Sequence, residues 1–199
     1  MSVRVGIVGF RGYSGAEAVR ILAAHPHCEP VLLEHRADAG DDAKLLRKSS
    51  IRRAPATPES VASEGLKAVL LATPPDVSMD LAPKFLNAGA AVIDLSGAFR
   101  LRTAERYRQW YKEEHTAPGL LADAAYGLPE YNRDCIRQAK LVSNPGCYPT
   151  AANLALKPLL DAGAIQRQDA FIADAVGGRS AQRRRFGIGF KNRNVIRRL

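Results

Sequence analysis

Apolar residues along this chain fall into short continuous runs separated by stretches with helical spacing. Val3–Val8 is a β-branched run that stops at Gly9, the form of a strand buried on both faces. Past the glycines that follow, Ala16, Val19, Ile21, Leu22 and Ala23 recur at roughly helical intervals up to His25-Pro26, where proline forbids continuation. Residues 30–34 read as a second strand, and residues 67–73 as a third, stopped by Pro74-Pro75. Residues 76–88 read as a helix closed by Gly89, and residues 91–95 as a fourth strand. Residues 38–65 are polar and yield no element. Strand and helix alternate with short connections, which implies parallel pairing. The predicted fold class is therefore α/β, a Rossmann-like doubly wound parallel sheet.

The pattern changes after residue 99. Residues 99–131 are charged and aromatic pieces, among them Tyr107-Arg108-Gln109-Trp110-Tyr111, a group read as packing rather than as an RNA platform. Residues 140–143 return to strand, Asn144-Pro145-Gly146 signals a turn, and Cys147-Tyr148-Pro149-Thr150 opens an apolar helix running to about residue 160. Residues 171–176 read as a further strand. The expected organisation is a nucleotide-binding domain over residues 1–146, the start of an incomplete α/β catalytic domain over 147–176, and an aberrant basic tail over 177–199.

Composition narrows the class. The chain has 199 residues, 46% hydrophobic and 25% charged, enough to bury a core and incompatible with disorder or a coiled coil. No apolar run approaches the roughly 20 residues of a bilayer span. The first residues enter a strand pattern at once, so no signal peptide is expected. Cys28, Cys135 and Cys147 are too few and odd in number for a disulfide framework, which points to a reducing, cytoplasmic compartment. The net charge of +9 lies almost wholly at one end. Residues 175–199 hold eight basic groups and no acid, leaving 21 basic against 20 acidic before them. A nucleotide-binding module whose basic tail contacts nucleic acid is one reading of that asymmetry. An accidental tail, translated out of frame, explains the same charge and is preferred.

Two motifs carry chemistry. Gly9-Phe10-Arg11-Gly12-Tyr13-Ser14-Gly15 stands between the first strand and the first helix, with Gly6 three positions earlier. Glycines permit a tight turn and let backbone approach a pyrophosphate, whose charge the first helical N–H groups meet. Ser14 is expected to cap that helix. Gly9, Arg11, Gly12, Tyr13, Ser14 and Gly15 are thus the candidate cofactor residues. Glu34 ends the second strand, where a carboxylate holds an adenosine ribose, and Arg36 lies where a guanidinium holds a 2′-phosphate. Position alone leaves NAD and NADP both open.

The second motif is Cys147, which follows a strand and a turn and stands in the first turn of a helix. A helix N-terminus stabilises thiolate, the nucleophilic form, and its N–H groups also stabilise an oxyanion. Cys28 and Cys135 are read instead as small buried apolar residues. His25, His27 and Cys28 fit a helix-terminating loop better than a metal site, and His115 is expected to be solvated in a polar loop.

Taken together, Gly9 to Gly15, Asp94-Leu95-Ser96-Gly97-Ala98-Phe99-Arg100, Tyr126-Gly127-Leu128-Pro129-Glu130 and Asn144-Pro145-Gly146-Cys147-Tyr148-Pro149-Thr150 resemble N-acetyl-gamma-glutamyl-phosphate reductase. The resemblance covers residues 3 to about 174, and aspartate-semialdehyde dehydrogenase is a more distant relative. It implies an NADPH-dependent enzyme of arginine biosynthesis in which Cys147 forms a thioester with an acyl phosphate. It implies Arg36 at the 2′-phosphate, Thr73, Pro74 and Ser96 at the cofactor-binding strand ends, and Arg100 and Asn144 on the substrate. For Arg100 a surface ion pair is the equal alternative. Thr73-Pro74-Pro75 stands where members often carry a proline–histidine pair, and Gly97-Ala98 replaces a more usual alanine–aspartate. The family's second domain supplies the acid/base histidine and the subunit interface. Here no histidine follows His115, so turnover is expected to be impaired. A related aminoadipyl or aspartyl phosphate is the alternative substrate.

Overall fold

The computed structural model describes residues 2–35 and 51–166. The chain divides into two compact units, Met1–Pro145 and Gly146–Leu199.

The first unit is built on one sheet. Its strands, in chain order, are β1 (Val3–Val8), β2 (Cys28–Glu34), β3 (Arg53–Pro55), β4 (Ala68–Leu71), β5 (Ala91–Asp94), β6 (Ala125–Tyr126) and β7 (Leu141–Ser143). Every pairing is parallel and the order is β3-β2-β1-β4-β5-β7-β6. The helices of this unit are α1 (Tyr13–Ala23), α2 (Pro58–Ser63), α3 (Pro75–Asn87), α4 (Ala104–Tyr111) and α5 (Pro129–Gln138).

Alternation along the strands explains the layers, since neighbouring residues point to opposite faces. Ile7 and Leu32, in register with each other, join Phe10 and Val19 of α1 in one buried cluster. Their neighbours Val8 and Leu33 join Val69 and Leu71, with Val61 of α2 and Met79, Leu81 and Phe85 of α3, in a second, larger one. Helices therefore cover both faces, as the doubly wound reading expects. Each fully buried side chain such as Phe85 or Leu33 contributes roughly 1.5–3 kcal/mol relative to exposure.

The strands and helices predicted from periodicity are present, shortened or lengthened at their ends by one to three residues. Gly89, at φ 93°, follows the C-cap Ala88 of α3, a left-handed position suited to glycine. The polar stretch that yielded no element contains β3 and α2. Both are too short to show a hydrophobic period of their own, and β3 exists because β2 pairs with it. The predicted strand over 171–176 and the basic tail over 177–199 lie outside the described residues.

The second unit opens with α6 (Cys147–Asp161), whose N-cap is Gly146. Thr150 reaches back to Gly146, its Oγ1 and its N–H both donating to the Gly146 carbonyl at 2.9 and 3.0 Å. No helix among the described residues is long and apolar enough to cross a membrane.

Candidate functional site

The chain runs β1, β2, β3 towards one edge of the sheet and then returns to place β4 on the other side of β1. Strand order reverses at that point, and open α/β sheets bind ligands in the crevice this leaves outside the strand C-termini. The glycine loop after β1 and the Ala72-Thr73-Pro74 segment after β4 meet there. Gly9 has φ 77°, and a Cβ on it would strike the Ala72 carbonyl. A Cβ on Gly15 would strike the Gly9 carbonyl, so the turn closes only with glycine at both positions.

The turn delivers α1 with its N-terminus open. Gly12 is the N-cap, no side chain caps the helix, and its first turn holds no acid. Gly12, Tyr13 and Ser14 are exposed. Ser14 is thus a residue of the first turn rather than the cap, because the glycine turn already supplies the extended residue that precedes a helix. Unpaired first-turn N–H groups beside an approachable backbone fit a dinucleotide pyrophosphate. Arg11 lies beside this turn, its guanidinium 5.4 Å from the centroid of the Phe10 ring. Arg36 lies outside the described residues.

Further along the same edge, a hydrogen-bond chain ties the segment after β4 and the start of α3 to the end of β5 and the loop that follows it. Thr73 Oγ1 and Ser78 Oγ are 2.8 Å apart. Ser78 bonds Asp94 at the end of β5, and Asp94 accepts from the Ser96 N–H at 3.1 Å and the Ser96 hydroxyl at 2.8 Å. The Ser96 oxygen in turn accepts the Ala98 N–H at 3.0 Å. Asp94 is wholly buried, and burial pushes its carboxyl above the ordinary value against the opposing pull of Ser78, Ser96 and Arg100. Ser96 is buried, Thr73 half-buried and Pro74 exposed as the N-cap of α3.

Arg100 adopts neither a surface ion pair nor an open pose. Its Nε donates to the Asn144 carbonyl at 2.9 Å and its Nη2 to the Leu95 carbonyl at 2.9 Å. Two of its three guanidinium nitrogens therefore join the ends of β5 and β7. Asn144 is fixed from its other side by its N–H, which donates to the Asp94 carbonyl at 2.8 Å.

His115 corrects the solvated reading. It is 7% exposed, packed edge-on to Phe99 and Tyr107. The Ala117 N–H donates to its Nδ1 at 3.1 Å, so Nε2 carries the hydrogen and donates to the Ala98 carbonyl at 3.0 Å. Burial lowers its pKa from 6.5. Within the aromatic group, Tyr107 is fully buried and stacks on Tyr111, whereas Trp110 and Tyr111 keep 56% and 38% of their surface exposed. Packing thus accounts for Tyr107 and, through the stack, for part of Tyr111, but not for Trp110.

Cys147 is the first residue of α6 and is exposed, with no acid in the helix's first turn. Cys135 is also exposed and Cys28 half-buried, against their reading as buried apolar residues. Cys135 lies on α5, none of whose residues is buried. His25 accepts the His27 N–H at 3.1 Å in the turn after α1. Asp94, Ser78 and His115 are the residues that sequence reasoning left without a role. For Asp94, a lone acid ending an otherwise apolar strand was the available signal.

Named relatives align with nearly the whole chain. Three enzymes called N-acetyl-gamma-glutamyl-phosphate reductase are 43% identical over 194 residues (Symbiobacterium thermophilum), 44% over 190 (Acidithiobacillus ferrooxidans) and 44% over 191 (Pseudomonas putida). These matches cover 94–95% of this chain, so the likeness runs beyond residue 176. The chain spans about half the length of these relatives, 55% in each case. Among solved structures, aspartate semialdehyde dehydrogenase II from Vibrio cholerae, complexed with ASA, superposes with a TM-score of 0.54 at 21% identity. It matches 81% of this chain and 47% of that one. Aspartate semialdehyde dehydrogenase with NADP from Candida albicans superposes with a TM-score of 0.56 at 19% identity, matching 81% and 48%. Both show a shared fold. The family model for the semialdehyde dehydrogenase NAD-binding domain matches residues 4–139, most of the chain and nearly all of the sheet just described, and the chain belongs to that family.

Proposed function

We propose that this chain carries the nucleotide-binding and nucleophile-bearing parts of an NADPH-dependent reductase of N-acetyl-L-glutamyl 5-phosphate. The observation that supports this most is the 43–44% identity to relatives bearing that name over nearly the whole chain. The nucleotide site fits the reading. Gly9, Gly12 and Gly15 shape the turn, Tyr13 and Ser14 present first-turn N–H groups to the pyrophosphate, and Thr73, Pro74 and Ser96 border the same crevice.

The chemistry assigned to Cys147 is acyl transfer. Its thiolate attacks the acyl carbon of the mixed anhydride, the bond from that carbon to the phosphate oxygen breaks, and inorganic phosphate leaves with the electron pair. The product is a thioester on Sγ. First-turn N–H groups of α6 stabilise the charge that develops on the carbonyl oxygen. Reduced nicotinamide dinucleotide, when bound, supplies the hydride that converts such a thioester to an aldehyde and returns the thiolate. Arg100 and Asn144 are proposed substrate contacts, held in place by their mutual hydrogen bond.

Acylation needs only the nucleophile and its oxyanion donors, so it is the step to test. Mixing the chain with N-acetylglutamyl phosphate is expected to release phosphate stoichiometrically with a thioester mass on the Cys147 peptide, and Cys147→Ser is expected to abolish both. A folded chain that releases no phosphate above the Cys147→Ser control overturns the proposal.

A further inference from the structure

At the end of the sheet away from the nucleotide crevice, β5 and β7 start side by side, with Val92 opposite Leu141. A cavity of about 520 Å³ opens there, within the roughly 300–1,000 Å³ of small-molecule sites. Two helices end at it: Asn87, the last residue of α3, and Gln138, the last of α5, both line its wall. In α3 the carbonyls of Lys84, Phe85 and Leu86 accept the N–H groups of Ala88, Ala90 and Gly89. The carbonyl of Asn87 is left without a backbone donor among the described residues. The apolar part of the wall is Leu141, 2% exposed, and Leu120, which packs against the same core. Its charges are Asp123 and Lys140. Both are exposed, they form no ion pair with each other, and neither side chain has a polar partner among the described residues.

We infer that this cavity binds a free α-amino acid with an apolar side chain. The last carbonyls of a helix carry roughly half an elementary negative charge, so two helix ends beside Asp123 favour an ammonium group. Lys140 supplies the opposite charge for a carboxylate, and Leu120 and Leu141 supply an apolar surface for the side chain. A ligand with a single charge leaves either Asp123 or Lys140 unpaired, and an ion without an apolar body leaves the leucines in water. A small zwitterion with an aliphatic body matches all three features together. The wall belongs to the first unit, and no residue of the nucleotide crevice contributes to it. The inference therefore stands whether or not the proposed function does.

The test is a titration of the isotopically labelled full chain with L-leucine, followed by the shifts of its amide resonances. Saturable shifts are expected at residues 86–90, 120–123 and 138–141, and none in the glycine turn. L-Leucinamide lacks the carboxylate and N-acetyl-L-leucine lacks the ammonium. Each is expected to bind severalfold more weakly, the size of one ion pair at a partly exposed rim. Asp123→Asn is expected to weaken L-leucine severalfold and to leave N-acetyl-L-leucine unchanged. Lys140→Gln is expected to weaken L-leucine by a similar factor and to leave L-leucinamide unchanged. Because each variant spares one compound, general misfolding cannot imitate the result. The inference is overturned if L-leucine gives no saturable shift at the cavity, if the three compounds bind equally, or if either variant weakens all three alike.

Discussion

The Ser96 hydroxyl donates to the Asp94 carboxylate at 2.8 Å while accepting the Ala98 N–H at 3.0 Å. One serine thereby ties a buried charge at the end of β5 to the loop that leads to Arg100. Removing the acid strands the Ser96 N–H and hydroxyl inside the protein. Asp94→Ala is expected to lower unfolding free energy by about 1–3 kcal/mol, the cost of unsatisfied buried donors, and Asp94→Asn by less. Urea unfolding measures both, and an unchanged midpoint for Asp94→Ala would refute the account.

His115 makes stability depend on pH. Its folded pKa is depressed by burial from the ordinary 6.5, so folding favours the neutral ring whose Nδ1 accepts the Ala117 N–H. That contribution is complete above the unfolded value and is lost as pH falls through the lower folded one. Asp94 works in the opposite sense: its raised pKa favours the protonated form, so its share is lost as pH rises through that raised value. Urea midpoints measured from pH 7.5 down towards 5 are expected to decline in wild type and to decline less in His115→Gln. Equal slopes for the two proteins would remove His115 from the explanation.

At the glycine turn, Gly15→Ala pushes a methyl group into the Gly9 carbonyl. The clash is with backbone, which gives little, and a loss of about 1–3 kcal/mol is expected together with loss of nucleotide binding. Gly119→Ala is the internal comparison, since nothing lies within 4 Å of its added Cβ. Thermal melts of the two variants should separate clearly.

Cys135 provides a built-in comparison for Cys147, because both are exposed but Cys147 is the first residue of its helix, directly after the N-cap Gly146, whereas Cys135 lies within α5, three residues past the kink at Asn132. Iodoacetamide at neutral pH is expected to label Cys147 severalfold faster, with the advantage shrinking in high salt. Peptide mass spectrometry over a time course reads both rates from one sample. Equal rates would leave the helix terminus without an effect on the thiol.

Much of the sheet was legible beforehand because its signals are local. The continuous apolar run of β1, the proline stops after α1 and β4, and the glycine-rich turn each act over a few residues. β3 and α2 escaped notice for the complementary reason. Arg53, Ala54 and Pro55 have no period of their own and become a strand only by pairing with Leu32, Leu33 and Glu34. Cys147 at a helix start was readable from the turn before it, whereas Cys135 was misjudged because residue type says little about which face of a helix meets a neighbour.

From the order of residues alone came the α/β class, the position of the glycine turn between β1 and α1, and the placement of Cys147. These follow from backbone chemistry that glycine, proline and β-branched side chains impose where they stand. Tertiary structure decided which groups share a site: Asp123 with Lys140, Thr73 and Ser78 with Asp94, and His115 with Ala98. It also turned Arg100 onto two carbonyls at the ends of β5 and β7. Those partners lie up to 44 residues apart, and their meeting depends on strand order and burial, which hydrophobic periodicity does not encode.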